Sequence, residues 1–472
     1  MTDIREIQFL INFFLIIIYL IISAFYLKFY ESILFLKIII TYSFFVLFYI
    51  LYSSKKLSKV LINPYSIFLV LTYIFHFGQL LVWLIRANSV TKSFYLFRHS
   101  SITEIIFSSL LSLGVILFFN LGGILSHFSK KDIKETNEKE FFLMRESSKK
   151  LIIILFILGL IPKIVYDYGM ITAALKGGYT LARHAPVTHG LWDDFSQFFN
   201  LGIFFTIITY KNYKKTINVL TIFVIIYSIF KMYITGSRGP EVLFIVSLLW
   251  LYNSIISPLK NNRAKSYLLW GLLVLPFINI IPNIRKNITK DYNLFNLILN
   301  SFEGNLIFDQ LKEFGNTLYT VVLSFRYVPN TTNYLKGSSY VVALLTIFPN
   351  IGGVILRLSE SHTPNYILNN YIEGIGGSYI AELYFNFGIF GLIFSIIIGF
   401  FVGMFSNRAI KNILEGNIPY IAFSGMFLSI ILWTVRDSFI AIPRATVLYI
   451  FIPLIIWKFI YNYEKRKFMY GK

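Results

Sequence analysis

Apolar residues in this chain come in unbroken runs rather than in stripes, and that constrains its fold more than any other feature. The runs are roughly 18 to 25 residues long, about what an α-helix needs to cross ~30 Å of hydrocarbon. Inside lipid each backbone polar group must find a partner within its own element, so such runs specify a bundle of transmembrane helices. β-Barrel strands would alternate over about ten residues, which these do not. Hydrophobic residues make up 56% of the 472 and charged ones 14%, and the chain is read as an all-α polytopic membrane protein.

Twelve spans are expected, over residues 7–27, 33–52, 65–85, 102–125, 151–168, 195–210, 217–234, 242–256, 267–284, 378–405, 418–435 and 446–460. The first is too long for a signal-peptide core and lacks a small-residue cleavage site, so it is read as a retained anchor. The chain then divides into three parts. Residues 1–285 hold nine helices with a short outer loop at 170–194. Residues 286–377 form a long outer-face loop, and 378–472 carry three more helices and a basic tail.

A formal charge of +20 would suggest nucleic-acid binding in a soluble protein, but here it is better read through topology, and no nucleic-acid partner is expected. Short cytoplasmic loops carry the excess Lys and Arg. Alternate connections contain Lys55, Lys56 and Lys59, then the cluster from Lys130 to Lys150, Lys211 to Lys215, Lys260 to Lys265, and Arg408 with Lys411. With Arg5 and the basic tail these hold 24 of the 43 Lys and Arg residues, which places both termini in the cytoplasm. Only five of the 14 arginines fall in that set. Arginines elsewhere ask for another reason, and a planar group that clamps an anion is one. There are no cysteines, so disulfides, thiolate metal sites and cysteine nucleophiles are excluded.

Three polar stretches stand out. Thr235-Gly236-Ser237-Arg238-Gly239-Pro240-Glu241 joins two apolar runs. Pro240 suits a first helical position and Glu241 complements the helix dipole, leaving Arg238 just outside a helix start. Its guanidinium either meets a phosphate fork to fork or snorkels at the head groups. The second stretch, Gly374-Ile375-Gly376-Gly377-Ser378, leads into a helix, as phosphate-approaching loops do. Within that helix Glu382 and Asn386 share one face. A carboxylate there is a functional candidate, or half of an interhelical salt bridge. The third, on the last outer turn, holds Arg436, Asp437 and Arg444. Arg436 either clamps an anion that Asp437 orients, or pairs with Asp437.

The outer loops add candidates. Arg183, His184 and His189 lie in the short one as a phosphate clamp with a base, or as a solvated loop. Pro186 separates the histidines and no third ligand follows at fixed spacing, so no metal site is expected. In the long loop, apolar residues recur every three to four positions through Leu311, Phe314, Leu318, Val321 and Phe325, predicting over 291–327 a helix lying in the outer interface. Arg326 lies on it. Residues 341–348, just after Tyr340, are too short to cross and are read as re-entrant. His362 is either a general base or a surface residue, and His76 a packing residue. The chain has no Walker-type Gly-Lys-Ser/Thr, no Asp-x-Asp and no Gly-x-Ser-x-Gly, which removes support for ATP-driven transport and for cytoplasmic sugar-nucleotide transfer.

The Gly236-Ser237-Arg238-Gly239 turn, the run from Gly376 to Gly388 and the turn at Arg436, in that order and on one face, resemble the Wzy-type O-antigen and capsule polymerases of bacterial membranes. That resemblance implies a GT-C-like glycosyltransferase working on the outer face of the plasma membrane. It would transfer a growing glycan from undecaprenyl diphosphate to the next lipid-linked oligosaccharide, with no cofactor and no metal. It implies as partners the lipid-linked donor and acceptor, membrane lipids, a chain-length regulator and a flippase. On this reading Arg238, Arg436, Arg183, Arg326 and Arg444 supply the diphosphate clamp. Glu382, His362 or Asp437 takes the acceptor proton, and Gly376, Gly377, Ser378, Asn386 and Tyr340 contact substrate. An O-antigen ligase and a lipid-linked oligosaccharide flippase are the alternatives. Polar residues gathered at the outer ends, with loops lopsided between halves, argue against the flippase.

Overall fold

A computed structural model of the chain describes residues 3–86, 94–128, 137–183, 185, 187, 190–237, 239–256, 306–350, 353–372 and 374–470. The helices used below are α1 (Ile4–Ala24), α2 (Ile33–Ser58), α3 (Pro64–Ile85), α4 (Ile102–Ser126), α5 (Glu138–Arg183), α6 (Leu191–Thr209), α7 (Lys214–Thr235) and α8 (Gly239–Ile255). They continue as α9 (Leu318–Tyr327), α10 (Ser338–Leu345), α11 (Val354–His362), α12 (Tyr379–Phe387), α13 (Gly391–Glu415), α14 (Ile418–Leu432) and α15 (Ile452–Tyr470). No strand occurs among the described residues. Nine helical segments there are long and apolar enough to cross a membrane, so the fold is an all-α polytopic membrane one. The expected spans at 195–210 and 242–256 are helical too, as α6 and α8; the one at 267–284 lies outside the described residues.

The chain forms two compact units. One comprises Met1–Asp132, Leu311–Ile410 and Ile431–Arg444; the other Ile133–Gln310, Lys411–Ile430 and Ala445–Lys472.

In the first unit, small residues let helices approach closely, as membrane packing without a hydrophobic drive requires. A Cβ on Gly122 of α4 would lie 1.9 Å from the Ile396 carbonyl oxygen of α13, and one on Gly399 would lie 2.0 Å from that of Phe119. Gly399 and Gly403 thus form a Gly-x-x-x-Gly seam along α13 against α4. A chain of buried polar side chains runs through it: Tyr65 donates to Asn120 at 3.0 Å, Asn120 donates to Asn12 at 2.7 Å, and Asn12 donates to the Leu117 carbonyl at 3.3 Å.

The segment expected to lie in the outer interface behaves differently. Described from Leu306, it is a short helix to Phe314, a 3₁₀ turn and then α9, and all seven residues from Leu318 to Ser324 are buried. Over Leu318–Ser324 burial is on every side rather than one-sided, while Ile307 and Asp309 of the preceding short helix are exposed. The cause is a glycine notch, since a Cβ on Gly315 would lie 2.0 Å from the Gln79 amide nitrogen, and one on Gly78 2.5 Å from the Leu311 carbonyl oxygen. With both side chains absent the segment sinks against α3, where the Gln79 amide bonds the Lys312 carbonyl and the Asn316 side chain. Residues 341–348 form the end of α10 and a turn.

In the second unit α5 continues to Arg183 through residues expected as loop, broken only at Gly177 and Gly178, where φ is −154° and 72°. Met170, Ala174, Ala182 and Ala185 bury together there, so small apolar residues make this stretch a packed helical return. Gly159 brings α5 onto α6, where a Cβ would meet the Phe199 amide at 2.4 Å.

Candidate functional site

The glycine run and the Arg436 turn lie side by side in the first unit. Gly377 donates its amide to the Arg436 carbonyl at 3.1 Å. A Cβ on Gly377 would lie 2.9 Å from the Ser438 nitrogen, and one on Gly376 3.2 Å from the Arg436 oxygen. These glycines therefore serve close approach of two backbones, and the Gly377 amide is spent on protein. Ser378 caps α12, accepting from the Ile380 and Ala381 amides at 3.1 and 3.4 Å. Its hydroxyl also lies 2.8 Å from Nε2 of His76, whose Nδ1 lies 2.7 Å from the Thr72 carbonyl. Because that carbonyl only accepts, Nδ1 carries the proton and Nε2 receives the Ser378 hydroxyl.

Glu382 sits one turn into α12 with 1% of its surface exposed. One carboxylate oxygen accepts from Ser339 of α10 at 2.7 Å, the other from the Phe439 amide at 2.7 Å. Asn386, on the same face, donates to Ser339 at 2.9 Å and accepts from the Gly337 amide at 2.9 Å. Glu382 thus ties three segments together. Among the described residues no arginine pairs with it, and each of its oxygens accepts one protein hydrogen bond. Asp437, half-buried on the neighbouring turn, accepts from Asn365 at 2.9 Å and from the Ser438 amide at 2.8 Å.

Beside this tie opens a cavity of about 220 Å³, bounded by Gly374 to Gly377, Arg436, Phe75, Tyr95, Glu313, Phe314, Asn316, Thr317, Tyr319 and Thr320. The aromatic walls come in pairs, Phe75 with Phe314 and Tyr95 with Tyr319, at centroid separations of 5.1 and 5.3 Å. Such a cavity offers ring faces for sugar C–H groups, hydroxyl and amide partners for sugar hydroxyls, one guanidinium and one carboxylate. Gly376, Gly377 and Arg436 were singled out from sequence. Glu313 and the aromatic pairs were not, because they come from the segment read as interfacial and from around α3, and their meeting depends on the Gly78–Gly315 notch.

The remaining candidates are dispersed. Arg326 is bound to Glu104, the capping-box residue of α4, through Nε at 2.7 Å and Nη2 at 2.9 Å, and to the His99 carbonyl at 2.9 Å. That bonding raises the guanidinium pKa and accounts for its fork without a ligand. Arg444 donates to the Thr346 carbonyl at 3.2 Å. Tyr340 stacks on Phe387 and meets Phe439 edge-on, at 6.1 and 5.7 Å. His362 ends α11, with Nδ1 turned to its own helix at Leu358 and Ser361. Arg183 lies at the end of α5; Arg238, His184 and His189 lie outside the described residues. Among those residues no group of three or more His, Asp or Glu side chains is placed to hold a metal ion.

The second unit contains a feature that sequence reading missed. Asp167 of α5, Lys231 of α7 and Glu241 of α8 meet in a buried charged cluster joined by Lys163 and Tyr227. Lys163 and Asp167 lie four apart on α5 and Lys231 ten before Glu241, but Asp167 and Lys231 are 64 residues apart, and no local spacing signals that they meet.

Neither a curated protein nor a solved structure matches this chain. A family model described as O-antigen polysaccharide polymerase Wzy matches residues 7–467, a range that takes in both units, the glycine run, the Arg436 turn and the charged cluster. With nearly its whole length inside that match and its helices built for a membrane, the chain belongs to the Wzy O-antigen polysaccharide polymerases.

Proposed function

We propose that this polymerase lengthens O-antigen by moving a growing glycan from undecaprenyl diphosphate onto the next lipid-linked oligosaccharide, at the outer face of the plasma membrane and with both termini cytoplasmic. What supports this best is the cavity in which Arg436, Glu313 and two aromatic pairs converge. An acceptor sugar stacks on the rings and presents its hydroxyl oxygen to the anomeric carbon of the donor. As that C–O bond forms, the bond from the anomeric carbon to the diphosphate breaks, and the leaving diphosphate takes the electron pair. Arg436 stabilises the developing charge, and Arg238 is assigned to the same anion. The hydroxyl proton passes to Glu313, the carboxylate among the cavity-lining residues. Glu382, bonded to Ser339 and to the Phe439 amide and not among the cavity-lining residues, is a structural tie in this scheme. The transfer uses no nucleotide and no metal, and a flippase and a chain-length regulator are its functional neighbours.

The test is purified protein in proteoliposomes with a lipid-linked repeat unit. A ladder of lengthened glycans is expected, its synthesis lowered by about 10²-fold in Arg436→Lys and in Glu313→Gln. A single discrete product would indicate a ligase, and translocation without new bonds a flippase. Arg238→Lys should impair transfer while leaving the protein inserted; full activity in that variant would reduce Arg238 to an interfacial anchor.

A further inference from the structure

Two side-chain amides meet at the cavity of the first unit, and their hydrogen bonds fix which way each one faces. Gln79 of α3 is buried, at 1% exposure. Its Oε1 accepts from the Leu96 amide at 3.0 Å, and its Nε2 donates to the Lys312 carbonyl at 3.1 Å. A backbone N–H only donates and a backbone carbonyl only accepts, so these two partners leave Gln79 a single orientation. The second hydrogen of Nε2 goes to Oδ1 of Asn316, at 2.7 Å. Asn316 is fixed in turn, with its oxygen held by Gln79 and its NH₂ group on the other side of the amide. The Gly78–Gly315 notch braces the pair, since a Cβ on Gly315 would lie 2.0 Å from the Gln79 amide nitrogen.

Asn316 is half-buried and is one of the residues bounding the cavity. Among the described residues no protein group accepts a hydrogen bond from its Nδ2. Gln79 therefore occupies the acceptor of Asn316 and leaves its donors for a ligand. A group that donates and cannot accept is best matched by an oxygen that accepts and cannot donate. On a glycan such oxygens belong to acyl carbonyls, as amides or esters, and to uronate carboxylates. A sugar hydroxyl gives as well as takes, and suits a mixed donor and acceptor, which Asn316 no longer is. Glu313 in the same wall repels a second carboxylate. The pairs Phe75 with Phe314 and Tyr95 with Tyr319 offer apolar ring faces for an acyl methyl.

We infer that Asn316, aimed by Gln79, is a specificity-determining residue that recognises an acyl carbonyl on a sugar of the repeat unit. This rests on the cavity being the sugar site of the transferase. The carbonyl oxygen takes a hydrogen from Nδ2 while the acyl methyl lies against the aromatic wall. The contact binds and selects; it takes no part in making or breaking bonds.

Asn316→Asp keeps an oxygen for Gln79 and removes the donors; Asn316→Ala removes both without adding charge. Each is assayed in proteoliposomes with three synthetic lipid-linked repeat units: the natural one, one lacking its O-acyl esters, and one with its N-acyl groups removed to free amines. With the natural unit KM should rise by about 10-fold in both variants, the size of one neutral hydrogen bond, with kcat kept. KM does not depend on how much protein folds, so this readout survives a loss of stability. In wild type one of the two stripped units should show the same rise. On that unit the variants should lose nothing further, because carbonyl and donor act as one pair. A loss with the ester-free unit identifies an O-acyl group, and a loss with the amine unit an N-acyl group. A normal KM in both variants, losses that add, or wild-type indifference to both stripped units overturns the inference. Arg436→Lys and Glu313→Gln, assayed alongside, distinguish the two failures. If both transfer at the full rate, the cavity is not the sugar site; if both are impaired while the Asn316 variants behave as wild type, only the Asn316 contact has failed.

Discussion

Glu382 is the residue on which sequence and geometry part most sharply, and its substitution separates two roles. Its two oxygens accept one bond each, from Ser339 and the Phe439 amide, both at 2.7 Å, at 1% exposure. Glu382→Ala strands the Phe439 amide, deprives the Ser339 hydroxyl of its acceptor and leaves a void. At about 1–3 kcal/mol per stranded buried group, the cost is about 3–5 kcal/mol. Glu382→Gln keeps the volume. Its carbonyl oxygen still takes the Phe439 amide, and its NH₂ can donate to Ser339, whose hydroxyl turns its proton away, for about 1 kcal/mol. Melting in detergent followed by tryptophan fluorescence should therefore rank wild type, Gln and Ala with most of the loss at Ala. Ladder synthesis per folded molecule in the Gln variant should stay close to wild type. A Gln variant that melts normally while transfer falls by about 10²-fold or more, the size of a lost general base, would refute the structural reading and restore Glu382 as the proton acceptor.

Other substitutions bear on the site and on the packing that builds it. Arg436→Lys keeps the charge and loses the fork; with an exposed side chain, melting should hold while ladder synthesis falls by about 10²-fold, and retained synthesis would remove Arg436 from the clamp. Gly122→Ala puts a methyl 1.9 Å from the Ile396 carbonyl oxygen, so α4 and α13 must separate, at about 1–3 kcal/mol, seen as lower melting. Arg326→Ala should cost about 1 kcal/mol or less, because the pair with Glu104 is about one-third exposed on the arginine side and screened by solvent. Folded Arg326→Ala protein should polymerise normally; a specific loss of transfer would return Arg326 to the diphosphate.

How far the sequence could be read depended on the range of the interaction involved. Apolar runs report the membrane because lipid imposes its demand on each segment separately, and the helices lie where the runs do. Gly376, Gly377 and Arg436 could be picked out as special, but not why. The glycine run looked like a phosphate loop because both uses of glycine ask for the same missing Cβ; only the Gly377 amide bonded to the Arg436 carbonyl tells close backbone approach from anion contact. The 3.6-residue period through Leu318 and Val321 reports an apolar face without saying whether lipid or protein covers it. Gly78 and Gly315, more than 200 residues apart, decide for protein, and with that Glu313 enters the cavity wall. Asp167, Lys231 and Glu241 show the same limit with charge. Asp167 and Lys231 each read alone as a costly charge in an apolar helix, and their meeting, with Glu241 at the start of α8, offsets that cost. Residues that look misplaced singly are thus the ones whose partners must be sought at long range, as Asp167 meets Lys231 64 residues further along the chain.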